Sequence, residues 1–401
     1  MRAGSGSVSA MHSIGWLSIW LLFVGSALAQ PVANSAPIYF PDRHEWQRRM
    51  PAQVGMDAAA LDEAVRFVKT RDNPAPRDQA LALAKTFGAN EPYFGGLIGP
   101  TKVRAPINGL IVRRGYVVAE WGETQSVDMA HSVAKTFLTT VVGLAWQRGL
   151  IRNMNDRVAG YMPRDVELFD APHNQAITWD HMLRQTSDWQ GTLWGKPDWA
   201  DRPEGKPDEW ANRKLSPPGS RFKYNDVRVN ALALATLHVW RRPLPEVLRE
   251  NVMEPIGASS TWRWHGYDNS WIELDGQRMQ SVSGGGHFGG GMFINAWDMA
   301  RFGYLFLRDG RWKDRQLVAP EWIRMARTPG VANAEYGFAN WYLNPERKRL
   351  PATPESAVTF VGNGQNIIYV DQQNDLLIVV RWIDSTASLN EFIGKVLAAM
   401  R

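Results

Sequence analysis

Two apolar stretches at opposite ends of the chain constrain its fold most. Asn108 to Trp121 alternates around Arg113-Arg114-Gly115, so Gly109-Leu110-Ile111-Val112 and Tyr116-Val117-Val118-Ala119 read as the arms of a β-hairpin. Asn366-Ile367-Ile368-Tyr369-Val370 and Leu376-Leu377-Ile378-Val379-Val380 flank Asp371-Gln372-Gln373-Asn374-Asp375 as a second hairpin. Between them apolar residues recur at helical spacing: His131 to Arg148 (Val133, Phe137, Val141, Leu144, Ala145), Val227 to Trp240 with Pro243 limiting its end, and Trp297 to Leu307, started by Asn295 or Asp298. Ser388 to Met400 closes the chain as a helix. Strands at both ends with helices between them predict an α+β fold whose two ends share one antiparallel sheet.

Composition removes several chemistries. The 401 residues include no Cys, so disulfides, thiolate nucleophiles and iron–sulfur or zinc-ribbon sites are excluded. Lys and Arg number 45 against 40 Asp and Glu, and the basic residues are scattered, which gives nucleic acid no electrostatic footprint. No H-E-x-x-H occurs, and His173 and His181 lack a third ligand, so a metallohydrolase is not indicated. No G-x-S-x-G occurs, which removes the α/β-hydrolase elbow.

The apolar run Ile14 to Phe23, followed by Ala27-Leu28-Ala29 before Gln30, reads as a secretory signal peptide over residues 1–29, with a thin basic region (Arg2, His12) and Met11 as an alternative start. The expected mature chain, 30–401, is one domain with a helical and loop subdomain over roughly 150–290, located in the periplasm or secreted and without a stable membrane span. Within it, Gln185 to Ser216 has little periodicity but holds Trp189, Trp194, Trp199 and Trp210, as a lid or binding loop would.

Three short segments carry chemistry. Ser132 and Lys135 form S-x-x-K at the start of the predicted helix, one turn apart on one face. The helix terminus favours an alkoxide and disfavours an ammonium, so the serine can attack a carbonyl while the lysine acts as base. Ser132 N–H, in the first turn, is left free to donate. Tyr224, in Phe222-Lys223-Tyr224-Asn225-Asp226, stands at a loop-to-helix junction; a nearby lysine would lower its pKa and make it a proton shuttle. Gly362-Asn363-Gly364-Gln365 leads into a strand, where glycines let a substrate approach and the Gln365 amide can join Ser132 N–H in an oxyanion hole. Taken singly these read as a helix cap, a buried Tyr and a hairpin turn.

In this order the three segments resemble the penicillin-recognising serine hydrolases: class C β-lactamases, D-alanyl-D-alanine carboxypeptidases and related esterases. Ile177-Thr178, Leu183-Arg184-Gln185-Thr186-Ser187, Glu254-Pro255-Ile256-Gly257 and Gly289-Gly290-Gly291-Met292 support the likeness. Thr140 to Gly143 and Gly364-Gln365-Asn366 look most like the 6-aminohexanoate-dimer hydrolase branch. The resemblance implies a β-lactamase/transpeptidase-like fold, Ser132 as acylated nucleophile, Lys135 and Tyr224 as proton-transfer pair, and no metal or cofactor. It places Gly284-Gly285-Gly286-His287-Phe288-Gly289 beside the site with His287 as a pocket residue. The same segment fits G-x-G-x-x-G but lacks the strand and acidic residue of a dinucleotide fold.

Two departures bear on substrate. Asp226 stands where many members have Asn in Tyr-x-Asn, and a salt bridge to Lys135 would raise that lysine's pKa. Gly362-Asn363-Gly364 replaces Lys-Thr-Gly, whose lysine meets the carboxylate of a penicillin or D-alanine terminus. The expected substrate is therefore a small ester or simple amide, contacted by Asp226, Asn363, Gly364 and His287, with Trp189 and Trp194 against an apolar acyl group. A β-lactamase or carboxypeptidase, and an inactive peptidoglycan-fragment binding protein, are the alternatives.

Overall fold

A computed structural model describes Met1, Gly4, residues 38–92 and residues 94–401. The expected signal peptide lies outside the described residues, apart from Met1 and Gly4. Ile38–Arg401 forms one compact unit. Among the described residues no helix is long and apolar enough to cross a membrane.

The unit starts with helices α1 (Ala58–Lys69) and α2 (Gln79–Asn90), whose N-termini are capped by the carboxylates of Asp57 and Asp78. The hairpin β1 (Asn108–Arg113) and β2 (Tyr116–Trp121) follows, then the short strand β3 (Asp128–Met129) and helix α3 (Ala134–Gln147). Helix α4 (Asp226–Trp240), strands β4 (Arg263–Leu274), β5 (Gln277–Val282) and β6 (Gly291–Ile294), and helix α5 (Ala296–Leu307) occupy the middle of the chain. Strands β7 (Val358–Gly362), β8 (Asn366–Asp371) and β9 (Leu376–Arg381) and helix α6 (Thr386–Ala398) complete it. The architecture is α+β.

The main sheet has five antiparallel strands in the order β7-β8-β9-β1-β2, so the first hairpin pairs with the last strand. Leu110 pairs with Val379 and Val112 with Leu377. Side-chain alternation divides the sheet's apolar residues between two cores. Leu110, Val112, Ile368, Val370, Leu377 and Val379 join Phe137 of α3 and Phe302 of α5 in the larger core. Ile111, Ile367, Tyr369, Ile378 and Val380 pack with Leu61 and Val68 of α1 and Phe392 and Ile393 of α6. Each such side chain, fully buried, contributes about 1.5–3 kcal/mol, and a one-residue slip of β1 would turn every one of its residues to the wrong core. A second sheet runs β3-β6-β4-β5.

Both expected hairpins and the four expected helices are present, with one consequential difference. His131–Val133 is a 3₁₀ turn and α3 starts at Ala134. Helices α1 and α2 go beyond the sequence expectation, and the 150–290 span holds the long hairpin of β4 and β5 as well as helices and loops. The segment Gln185 to Ser216 is fixed by its own buried ions: Asp188 and Asp198 both hold Arg213 and Arg228. Trp189 is buried there, its indole N–H donating to the Leu168 carbonyl at 2.8 Å.

Candidate active site

Ser132 sits in the 3₁₀ turn between β3 and α3, directly after His131, whose φ of 48° is left-handed. That strained turn changes chain direction and brings Ser132 to the rim of a cavity of about 380 Å³. Lys135, one turn on, is completely buried, and its Nζ donates to Ser132 Oγ at 2.9 Å. Nζ also donates to Asp226 and lies 4.7 Å from the centroid of the Tyr224 ring. Three of the sequence-predicted residues are thus gathered around one ammonium.

Asp226 opens α4, where Asn225 caps the helix by accepting from Arg228 N–H. A carboxylate at that end is favoured by the helix dipole. Burial alone would raise its pKa, but Lys135, Arg202 and His287 hold it well below the usual carboxylate range. Arg202 Nη1 donates to it at 2.9 Å and His287 Nδ1 lies 3.1 Å away. Both oxygens are taken by protein groups, and Asp226 borders the cavity.

The cluster continues outward. His287 Nε2 is 2.6 Å from Glu91, its ring stacks on Phe87 at 3.9 Å, and Asp201 accepts from Arg202 and from the Asp226 backbone. Burial pushes His287 down, yet Asp201, Asp226 and Glu91 outweigh it and lift its pKa to about 9. Lys135, Arg202 and His287 therefore face Asp226, Asp201 and Glu91 as a balanced, buried set of ion pairs. Glu91, Asp201 and His287 bring donor atoms within 4.8 Å of one another, the spacing of a metal site. His287, however, spends one nitrogen on Asp226 and the other on Glu91, and the Arg202 cation holds Asp201. A second cation does not suit that donor set.

Burial moves Lys135 down from an ordinary lysine, with Asp226 opposing. Tyr224 departs from expectation. Burial, helped by Tyr342 and Asp226, lifts its phenol well above the usual range and outweighs the cations nearby. The phenol is held protonated by its surroundings. His131 is driven by burial, and by Arg381 and Lys135, down to about 3, so it stays neutral; its Nε2 lies 2.9 Å from Gln79 Oε1.

The opposite wall is the β7–β8 turn. Asn363, Gly364 and Gln365 all border the cavity, and among the described residues the buried Gln365 Oε1 has no partner. A Cβ on Gly362 would strike the Ala130 carbonyl, so this glycine lets β7 approach the Ser132 turn. Gly285 is constrained likewise, because a Cβ there would overlap Lys135 Nζ and Asp226. The glycine-rich segment is shaped around an ion pair, not a dinucleotide.

Trp189 and Trp194 are not among the residues that line this cavity. The loop contributes Arg202 instead. Arg202, Tyr342, Phe87 and Glu91 were not singled out by the sequence; they come from segments with no motif, and only chain folding brings them here. A larger cleft, about 660 Å³, opens beside Arg43, Trp46 and Arg301 and shares no residue with the Ser132 cavity.

Comparison with known proteins agrees with this geometry. Residues 110–382 match the Beta-lactamase family model. No curated protein sequence matches significantly. Among solved structures, the chain is similar to EstCE1, a hydrolase with promiscuous acyltransferase activity, at 15% identity and TM-score 0.55, covering 85% of this chain and 98% of that one. It is also similar to a penicillin-binding protein homologue from Caulobacter crescentus (15%, 0.54, 82% and 99%). A protein assigned as a 6-aminohexanoate-dimer hydrolase from Bacillus anthracis shares 15% identity at TM-score 0.52, over 73% and 78% of the two chains. With its fold, its family match and its Ser–Lys–Tyr centre in place, the chain belongs to the Beta-lactamase family and is a serine hydrolase.

Proposed function

We propose that this protein hydrolyses a small ester or simple amide through a covalent acyl-enzyme on Ser132. The carrying observation is the 2.9 Å contact from Lys135 Nζ to Ser132 Oγ inside a buried site. Lys135 in its neutral form accepts the serine proton as Oγ attacks the carbonyl, and burial raises the fraction in that form. Tyr224, kept as a phenol, donates to the leaving group, or acts with Lys135 as one coupled unit. The backbone N–H groups of Ser132 and Gln365, both at the cavity, receive the oxyanion. Water then releases the acid. The cavity volume suits a small substrate, and Asn363 in place of a lysine removes the family's usual carboxylate contact.

One observation favours the β-lactamase or carboxypeptidase alternative. Arg202, with a side chain 32% exposed, brings a permanent cation to the cavity. Labelling by a fluorophosphonate, read by mass, tests the nucleophile: modification must vanish in Ser132→Ala, and a folded protein that never labels overturns the acyl-enzyme. Turnover of p-nitrophenyl esters, 6-aminohexanoate dimer and nitrocefin then separates the substrates, and nitrocefin as the best of them would refute the ester or amide preference. The apolar run before Gln30 supports export, to the periplasm or outside the cell.

A further inference from the structure

The residue before Tyr224 belongs to a different cavity. Lys223 is only 8% exposed, and among the described residues its ammonium has neither a hydrogen bond nor an ion pair. Its backbone is fixed, since Lys223 N–H donates to the Gln185 carbonyl at 3.0 Å. The side chain borders a cavity of about 230 Å³ that shares no residue with the Ser132 cavity.

Most of the side chain is buried and its ammonium opens onto the cavity, where such a group is normally matched by a counter-charge or held neutral. The carboxylates nearby, Glu204 in the cavity wall among them, are spent on other cations. Arg213, Lys214 and Arg221 also line the cavity, and Arg228 stands behind it. Asp188 and Asp198 are shared by Arg213 and Arg228, and Glu204 is paired with Arg221. The next carboxylate, Asp201, is engaged by Arg202. With Arg202, six cations thus face four carboxylates, and burial together with Arg228 and Arg213 pushes the Lys223 pKa down against Glu204 and Asp201. The walls are aromatic: Trp199 and Trp210 both line the cavity, and Trp210 is held by an indole N–H to the Gly205 carbonyl at 3.2 Å.

We propose that this cavity is a second ligand site, which binds an organic oxyanion with its charged group on Lys223 and its aromatic or apolar body against Trp199 and Trp210. A carboxylate and a phosphate monoester share that chemistry. Either would neutralise Lys223, and the rings would cover the apolar part.

The test titrates the full chain, and its Lys223→Met and Trp210→Ala variants, with benzoate, phenyl phosphate, inorganic phosphate and benzyl alcohol, following binding by calorimetry. Benzoate or phenyl phosphate is expected to bind with one-to-one stoichiometry, and the tighter of the two identifies the head group. Lys223→Met should weaken that binding about tenfold or more, the loss expected of a charge-assisted hydrogen bond. Trp210→Ala should weaken the aromatic anions and leave inorganic phosphate unchanged. Trp210 is part-exposed, so this variant decides alone if Lys223→Met does not fold. The proposal is overturned if neither aromatic anion binds, if both variants bind as the parent does, or if benzyl alcohol or inorganic phosphate binds as tightly as the aromatic anions.

Discussion

Asp226→Asn keeps the shape of the side chain and removes the charge that Lys135, Arg202 and His287 all meet. Lys135 and Asp226 are both buried, so little water replaces the lost partner. Two unit charges about 4 Å apart at an effective dielectric of about 20 attract by ~4 kcal/mol, which is roughly three pH units of proton affinity. The same substitution lets His287 lose its proton more readily, which relieves some repulsion on Lys135 and offsets part of that figure. A drop of about one to three pH units in the Lys135 pKa remains. The sign follows from the proposed mechanism: there Lys135 works as the neutral amine, Asp226 stabilises the ammonium, and its removal raises the neutral fraction at any given pH. The acid limb of kcat/KM for a p-nitrophenyl ester should therefore move to lower pH by that amount, because this limb reports groups of the free enzyme. Near-UV circular dichroism confirms that the variant is folded. A limb that stays in place or moves to higher pH in folded Asp226→Asn would refute the reasoning.

Four more substitutions probe the same centre. Ser132→Ala should abolish both covalent labelling and ester turnover while leaving the melting temperature nearly unchanged. Tyr224→Phe removes only the phenolic donor and should lower kcat by about 10²–10⁴ with KM little altered, the range for general acid–base groups; steady-state kinetics checks the split. Gly285→Ala forces a Cβ into Lys135 Nζ and Asp226, so it should destabilise by about 1–3 kcal/mol in denaturant titration and remove activity. His287 has a pKa raised to about 9 by its carboxylate neighbours. Its stabilising effect is full below the unfolded value of about 6.5 and is lost as pH rises through about 9, so the fall in melting temperature across that window should be shallower in His287→Gln.

How much could be read in advance depended on the range of each interaction. The β1–β2 and β8–β9 hairpins show in alternation and turn residues because strand pairing across a tight turn is local. Ser132 and Lys135 show for the same reason, being one helical turn apart. The loop from Gln185 to Ser216 misled. Its tryptophans suggested a substrate wall, whereas Trp189 is spent on packing and a backbone carbonyl. The residue that the loop delivers to the cavity, Arg202, has no periodicity or motif to mark it. Tyr224 was found, but its proton affinity was misjudged. A nearby cation lowers a phenol's pKa, and complete burial raises it further than Arg202 lowers it.

By itself, the sequence determined the fold class and the sheet shared by the two ends, and it put forward Ser132, Lys135 and Tyr224 as candidates. Those follow from local periodicity and short spacing. Only the tertiary structure decided the electrostatics, because Asp226, Arg202, His287, Glu91 and Asp201 come from separate parts of the chain and meet in one buried cluster. Charge energies depend on distance and burial, and neither is written in residue order.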